Sequence, residues 1–536
     1  MITNLQSSKD PQNKILKNFS VLSWGVLIFC CGLASPSLAQ SGSQSDSKSD
    51  SASRSKINIK DINVKREVLG PNGTLGEPGE PSDQGLLPDR VQGQNTTSLK
   101  PREKKIFGQI RVESMQYLTA IKEAPDLTNS QLLSARLSGA DNFERWENIS
   151  YAMDLTAGSY FSWPHSHFYV NESYLKFDMT PHSDVTVGRR KFDWSELDTR
   201  WSLGLWQPQF TLDALRPEDQ GLTGVFFDYR QEKQEFLVMG TPVFIPTMGP
   251  EIREEGGSLV SDSRWYRSPS NKWNFNNQAT PIVYHIEVPG LTNLVSNPGV
   301  AAMYRAGSKS DGPRLTVAAA YKPVNDLLLK REIDFYTNKS TAVSVSPDVT
   351  YHRLYSADAG YGWGPFNSSL SYMGDDVDEK LPPDRWAIQK LNPLRIYSAN
   401  FDVELSQFVS RPLSVQTSYM RVFGGDIQDI ESDGSPNEMT LFDSRTKFTN
   451  AVMVRFLGEL AHPNARSLTS KFSYIYDYDQ RGSIWGLEFQ YSPVRQWGVV
   501  VGGDILGVEN ESDTDKRFIN QFRANDRYYA GMSYVF

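Results

Sequence analysis

The chain has 536 residues, of which 12 % are aromatic, and a formal net charge of −8; its pI is near 5.5 and its mean hydropathy −0.47. That length suits several soluble domains or one large barrel. The hydropathy excludes a bundle of membrane helices, each of which needs about 20 consecutive apolar residues, and the acidic balance argues against nucleic acid as a partner. A β-barrel passes the same test, because only alternate strand residues face lipid, and 24 Tyr with 12 Trp would furnish two interfacial girdles.

Lys14 and Lys17 precede a long apolar run from Val21 to Ala34, and Ser37-Leu38-Ala39 follows as a small-x-small cleavage site before Gln40. The order and dimensions are those of a secretory signal peptide over 1–39. The run is too short for a transmembrane anchor. A lipoprotein site is excluded because Phe29 precedes Cys30 and Cys30 precedes Cys31, where a small residue is needed. Both cysteines leave with the peptide, so the mature chain has no thiol or disulfide chemistry. Export without disulfides fits the envelope of a Gram-negative bacterium.

From Ser41 to Ser55 the chain holds almost nothing to bury, and it should be disordered. Lys56 to Val64 alternates briefly, as an extended linker segment or as a strand pairing with a partner or the barrel rim. Residues 40–103 together read as a disordered Ser/Pro/Gly-rich periplasmic extension, and the folded domain as 104–536.

Across that domain, alternating segments predict strands near 106–117, 132–140, 148–159, 168–179, 184–190, 223–230, 236–243, 299–307, 314–321, 349–363, 368–373, 395–408, 414–423, 448–458, 468–477, 483–491, 497–506 and 527–536. Eighteen is even and returns the C-terminus to the periplasm; sixteen fits nearly as well. Tight connections such as Pro181-His182-Ser183-Asp184, Gly364-Pro365-Phe366-Asn367 and Ser492 to Gln496 carry turn residues. They largely alternate with long polar ones near 191–222, 244–298, 322–346, 374–393, 424–446 and 507–521. Short periplasmic turns and long external loops are the pattern of a transmembrane antiparallel β-barrel of about 16–18 strands.

The parity of each strand assigns its faces. Phe448, Val452, Val454 and Phe456 form one lipid-facing set, followed by Phe472, Tyr474 and Tyr476, by Trp485, Leu487, Phe489 and Tyr491, and by Trp497, Val499, Val501 and Ile505. The opposite faces put Arg455, Lys471, Glu488, Asp504 and Arg527 into the lumen on successive strands. Lys or Arg facing lipid at mid-depth costs about 2–4 kcal/mol, so this parity is strongly preferred. A lumen of this width, lined by both signs of charge, should hold water rather than a dry core. Pairing across strands is the plainer role of any one of these charges. The insertion after Arg190 mixes Asp193, Glu196, Asp198, Arg200, Arg216, Glu218 and Asp219 with several tryptophans. Folded inward, it would set a size limit and a transverse field; folded outward, it would be a solvated surface loop or a contact with a neighbouring barrel.

Glu172-Ser173-Tyr174-Leu175-Lys176-Phe177 followed by Val185-Thr186-Val187-Gly188-Arg189 resembles the strand pair of bacterial porins and polysaccharide-export barrels, where a Gly-Arg pair ends a strand below an inward loop. Gly531-x-x-Tyr534-x-Phe536 similarly resembles the C-terminal signal that the barrel-assembly machinery reads. These resemblances imply the bacterial outer membrane and a class of protein, not a substrate.

No nucleophile elbow, zinc-protease helix or phosphate loop is present, so no enzyme and no cofactor is expected. Pro164-His165-Ser166-His167 could offer two imidazoles on one face, but without further ligands at metal spacing a hydrated loop is the better reading and no metal is assigned. The expected function is a porin-like channel for passive diffusion of small hydrophilic solutes, in lipid and as a homo-oligomer. The alternative is the barrel component of an envelope complex for polysaccharide export, adhesion or motility, with a periplasmic partner on 40–103.

Overall fold

Alternation becomes a closed wall in the computed structural model, which describes residues 105–536 apart from 122–126, 144–145, 163–164, 276–277, 309–310, 337–339, 408, 410, 438–443, 462–466, 495 and 513–514. The expected signal peptide and periplasmic extension lie outside the described residues. The wall begins with β1 (Lys105–Tyr117), β2 (Asn129–Phe143), β3 (Trp146–Tyr160), β4 (His165–Thr180), β5 (Ser183–Arg190) and β6 (Leu222–Gln231). It continues through β7 (Gln234–Thr241), β8 (Gly299–Gly307), β9 (Gly312–Pro323), β10 (Tyr351–Trp363), β11 (Phe366–Val377) and β12 (Leu394–Glu404). It ends with β13 (Leu413–Gly424), β14 (Asn450–Ala461), β15 (Ser467–Asp477), β16 (Gly482–Val494), β17 (Trp497–Val508) and β18 (Arg527–Val535). Successive strands pair antiparallel, and β18 pairs back onto β1, so the 18-stranded sheet has no free edge.

All eighteen expected strands are present, 132–140 and 299–307 among them. Their ends differ in places: the strand expected to run to 408 stops at Glu404, where a 3-10 turn (Leu405–Gln407) takes over. The tight turns 181–182, 232–233 and 364–365 lie on one rim and the long connections on the other, which faces outward in outer-membrane barrels.

The outer face carries what lipid requires. Leu175, Val225, Leu370, Phe401, Trp485, Leu487, Phe489 and Met532 are exposed there. Charges on that face, such as Arg353, Asp376, Arg395 and Arg421, sit at the long-loop ends of their strands. Arg395 pairs with Asp376 at 2.6 Å and Arg421 with Asp479 at 2.8 Å. Phe448 corrects the lipid-facing assignment. It precedes β14, so strand parity does not extend to it, and it is buried inside, 6.0 Å from Trp201 and 6.4 Å from Phe518.

The long connections are not featureless polar loops. Segments from four of them form a second, seven-stranded sheet in the order Lys272–Phe275, Gln278–Ile286, Ser340–Asp348, Leu328–Tyr336, Trp386–Leu391, Ile427–Ile430 and Pro436–Asn437. Ile282, Tyr284, Val343 and Val345 alternate inward there and bury one another with Leu259.

Candidate functional site

The lumen is organised by the connection 191–221. Gly188, near the end of β5, has φ +133°, and a Cβ there would lie 2.4 Å from the Ser173 carbonyl oxygen. Only glycine fits this approach. The next two residues turn the chain inward. The Arg189 guanidinium donates to the Gly221 carbonyl at 2.9 Å, tying the two ends of the loop. Arg190 lies over the Phe192 ring at 4.1 Å and donates to Thr186.

A short helix, α1 (Glu196–Trp201), follows, with Ser195 extended at its N-cap and Ser202 left-handed at its C-cap. The wall supplies the missing cap. Asp358 of β10 accepts the Glu196 N–H at 3.1 Å and the Ser195 hydroxyl at 3.3 Å. Beyond the helix, Asp198 accepts the backbone N–H groups of Leu205 and Trp206 at 3.0 and 3.2 Å, which folds the chain back. Burial, with the charge of Asp219 nearby, pushes the Asp198 carboxyl up to about 7 despite those two donors. The return arm pairs Gln209 with Asp219 and Phe210 with Glu218, leaving a tip that carries Asp213 and Arg216.

Two kinds of contact hold the loop. Trp194, Leu197, Trp201, Leu205 and Trp206 pack against inward residues of the wall, among them Phe226, Met239, Met303, Met373, Met420 and Met453. Trp194 and Trp206 stack at 5.2 Å with planes 6° apart. A tryptophan side chain taking 150–250 Å² from water is worth roughly 4–6 kcal/mol at about 25 cal/mol per Å². Where α1 lies, the wall is built from small residues, Ala318, Ser356, Ser369, Ser371, Ser398 and Ser418, which leave space for a helix. Asn400 ties three of these serines together, at 2.6 Å to Ser418 and 3.0 Å to Ser369 and Ser398.

The second kind is ionic. Arg200 makes two 2.7 Å hydrogen bonds to Asp402, and Glu196 meets Arg314 at 3.0 Å. Arg455 donates to the Arg200 carbonyl at 3.0 Å. At the tip, Arg216 pairs with Glu113 at 2.8 Å and lies 3.7 Å over the Tyr529 ring. Arg527 bridges Asp213 at 2.6 Å and Asp504 at 2.7 Å, and the Tyr529 hydroxyl donates to Glu488 at 2.8 Å. Buried pairs of this kind roughly break even in free energy while fixing geometry.

The structure therefore brings Glu196, Arg200 and Arg455 together, and separately Arg216, Glu488, Asp504 and Arg527. Lys471 is the register partner of Glu488 across β15 and β16. Arg190 and Asp193 stay at the loop's entry, where the Asp193 carbonyl accepts from Arg305 at 2.8 Å. Glu218 lies 3.5 Å from Asn171, and Asp219 accepts from Gln209 at 3.0 Å. In the half of the barrel under the long loops, apolar packing fills space that was expected to hold water, while the charges pair at contact, the plainer of the two roles expected of them. The pairing partners Glu113, Asp213, Arg314 and Asp358 were not picked out from sequence. Inward methionines and serines recurring at one parity were the available signal.

No protein-family model matches the chain, and no curated protein does. Among solved structures it is similar to OccK11 (OpdR) of Pseudomonas aeruginosa at 10 % identity and a TM-score of 0.40, over 80 % of this chain and 95 % of that one. OccAB3 of Acinetobacter baumannii is similar at 11 % and 0.41 over 81 % and 99 %, and OmpT of Vibrio cholerae at 9 % and 0.37 over 82 % and 100 %. Likenesses of this size speak to neither substrate nor assembly. On its own closed wall, apolar exterior and inward loop, the chain is an outer-membrane β-barrel of porin-like architecture.

Proposed function

We propose that the chain forms an outer-membrane channel that passes small hydrophilic solutes passively, through an aperture set by the loop 191–221. The observation that carries this reading is where the loop is tied. Arg200 meets Asp402 on β12 and Arg216 meets Glu113 on β1, so the segment reaches strands far apart around the wall. A segment tied that way divides the lumen and leaves a narrow passage in place of a wide one. Arg190, Asp193, Glu196, Asp198, Arg200, Arg216, Glu218 and Asp219 would shape the passage from the loop, and Arg455, Lys471, Glu488, Asp504 and Arg527 from the wall. The packed outer half supports selective over general diffusion.

Gly531, Tyr534 and Phe536 would serve assembly, and 40–103 would engage a periplasmic partner, for which a pull-down with that segment is the direct assay. For the channel itself, the purified full chain in planar bilayers should give stepwise currents of small amplitude. A folded barrel, verified by heat-modifiable migration, that never conducts would refute the proposal.

A further inference from the structure

The connection between β7 and β8 sends out a finger whose tip lies far around the wall from its root. One residue of the external sheet fixes the root from both sides. Tyr284 donates its main-chain N–H to the Gly257 carbonyl and its hydroxyl to the Ser270 carbonyl, each at 2.8 Å. The finger itself, Ser261–Arg267, follows a hairpin that pairs Arg253–Glu255 with Ser258–Val260. Asp262 accepts from Arg253 of that hairpin at 2.7 Å, and the Ser263 hydroxyl bends the chain by accepting the Trp265 N–H at 3.2 Å.

The tip docks where the barrel closes on itself. Arg264 is 1 % exposed. Its guanidinium donates to the Thr119 and Leu127 carbonyls, which flank the β1–β2 connection, at 2.7 and 2.9 Å. It donates also to the Ala524 carbonyl and the Asn525 side chain, just before β18, at 2.6 and 3.1 Å. Asn525 returns a hydrogen bond to the Arg264 carbonyl at 3.1 Å. Arg264 thus joins the exit of β1 to the entry of β18. Trp265 lies 5.3 Å from Phe522 and stacks on Phe518 at 6.3 Å with planes 5° apart. Arg267 donates to the Gln521 carbonyl at 2.6 and 3.1 Å. On its lumen side Trp265 meets Arg527 at 5.8 Å, and Arg527 is what holds the tip of the inward loop through Asp213.

The dock differs from the other ion contacts of the lumen. Arg200, Arg216 and Arg527 meet carboxylates, whereas all four acceptors of the Arg264 guanidinium are neutral. Asp526, next in the chain, turns its carboxylate to the Leu506 N–H at 2.6 Å. A buried cation with no bonded carboxylate retains much of its desolvation cost. Burial accordingly draws the Arg264 guanidinium down to about 10 from 12.5. The seat is therefore specific in geometry and shallow in energy, while the root is held independently of it.

We propose that Ser261–Arg267 is an autoinhibitory latch, an assignment that rests on the channel reading above. Seated on the β1–β18 seam, it covers that side of the outer mouth and keeps water from the Arg527–Asp213 pair. Lifted about its Tyr284 root, it hydrates that pair, which then holds the inward loop weakly, so that cover and aperture open together. Arg264, Trp265 and Arg267 share one dock, so they leave it as a unit. The finger contributes no hydrogen bond to the barrel's ladder, and the wall stays closed throughout.

The test uses the full chain, with heat-modifiable migration as the check on folding. In planar bilayers the parent should rest at a small current with rare excursions to a larger one. Arg264→Met and Trp265→Ala should each raise the time at the larger level about tenfold, the scale of one hydrogen bond to a charged group. Trp265→Phe should stay near the parent. Trypsin supplies a readout that needs no current, because cleavage after Arg264 requires the lifted form and follows its population. In Trp265→Ala that cleavage, normalised to the unfolded chain, should rise by the same factor as the larger current level. Trp265 donates nothing to the seam, so its variant keeps the test alive if Arg264→Met fails to fold. Folded variants with the parent's current and cleavage rate overturn the proposal. Faster cleavage in a conducting channel whose current is unchanged also overturns it, since the finger would then cover nothing. Faster cleavage in a barrel that never conducts would uphold the lifting finger and refute the channel.

Discussion

Trp201→Ala separates the seat of the inward loop from the integrity of the wall. Trp201 is 1 % exposed, its ring meets Phe448, and its indole N–H donates to the Ser418 hydroxyl at 3.0 Å. Truncating a buried tryptophan to alanine costs about 3–5 kcal/mol. Little is added for a broken hydrogen bond, because the Ser418 hydroxyl still donates to Asn400 at 2.6 Å. At about 1.4 kcal/mol per factor of ten, the lifted form of the loop should gain roughly two to three and a half orders of magnitude in population. Arg200–Asp402 and Glu196–Arg314 remain, so the loop should flicker and not leave. Trp201 contributes no ladder hydrogen bond, so β1–β18 should stay closed and heat-modifiable migration should be unchanged. Single-channel recordings should show larger and noisier currents than the parent, with Trp201→Phe close to the parent. A folded Trp201→Ala barrel with the parent's mean current and noise would refute the idea that apolar packing holds the aperture.

Arg527→Met strands Asp213 and Asp504, both within 2.7 Å of the guanidinium. Removing one partner of a buried pair costs about 3–5 kcal/mol, which a lowered unfolding temperature of the barrel in detergent should report. Asp198 gives the loop a pH dependence: its folded pKa of about 7 lies above the ordinary carboxylate value of 3.8. Between those values the folded chain holds a proton that the unfolded one has released, so stability should fall as pH rises through that window and level off above about 7. Tryptophan fluorescence of the loop against pH reads this directly; Asp198→Asn should flatten the curve, and a seat that tightens with alkali would contradict it. Gly188→Ala sets a side chain against the Ser173 carbonyl oxygen at positive φ, which should destabilise the loop's entry and lower the yield of heat-modifiable barrel.

The wall was legible in sequence because two media write a two-residue rhythm. Leu487 and Phe489 must meet lipid while Glu488 must not, and a one-residue slip would reverse both. That constraint reaches strands of modest propensity, so even 299–307, rich in Ala and Gly, falls where alternation puts it. The interior carries no such rhythm. Met303 or Ser398 at a lumen position is compatible with water, with another side chain or with a folded-in loop, and only the path of 191–221 decides which. The helix α1 spans six residues, too short for its periodicity to stand out. Its capping carboxylate comes from Asp358, far along the chain, so no local motif announces it. The external sheet was hidden for a related reason, since Ile282, Tyr284, Val343 and Val345 alternate over short stretches whose partners lie in different loops, one of them paired in parallel. What shapes the lumen of this barrel is therefore held by contacts of long sequence separation, whereas what fits its wall to a membrane is held by neighbours two residues apart. Substitutions on the outer face should for that reason act on assembly, and those at Trp201, Arg200 or Arg216 on the current, with few positions acting on both.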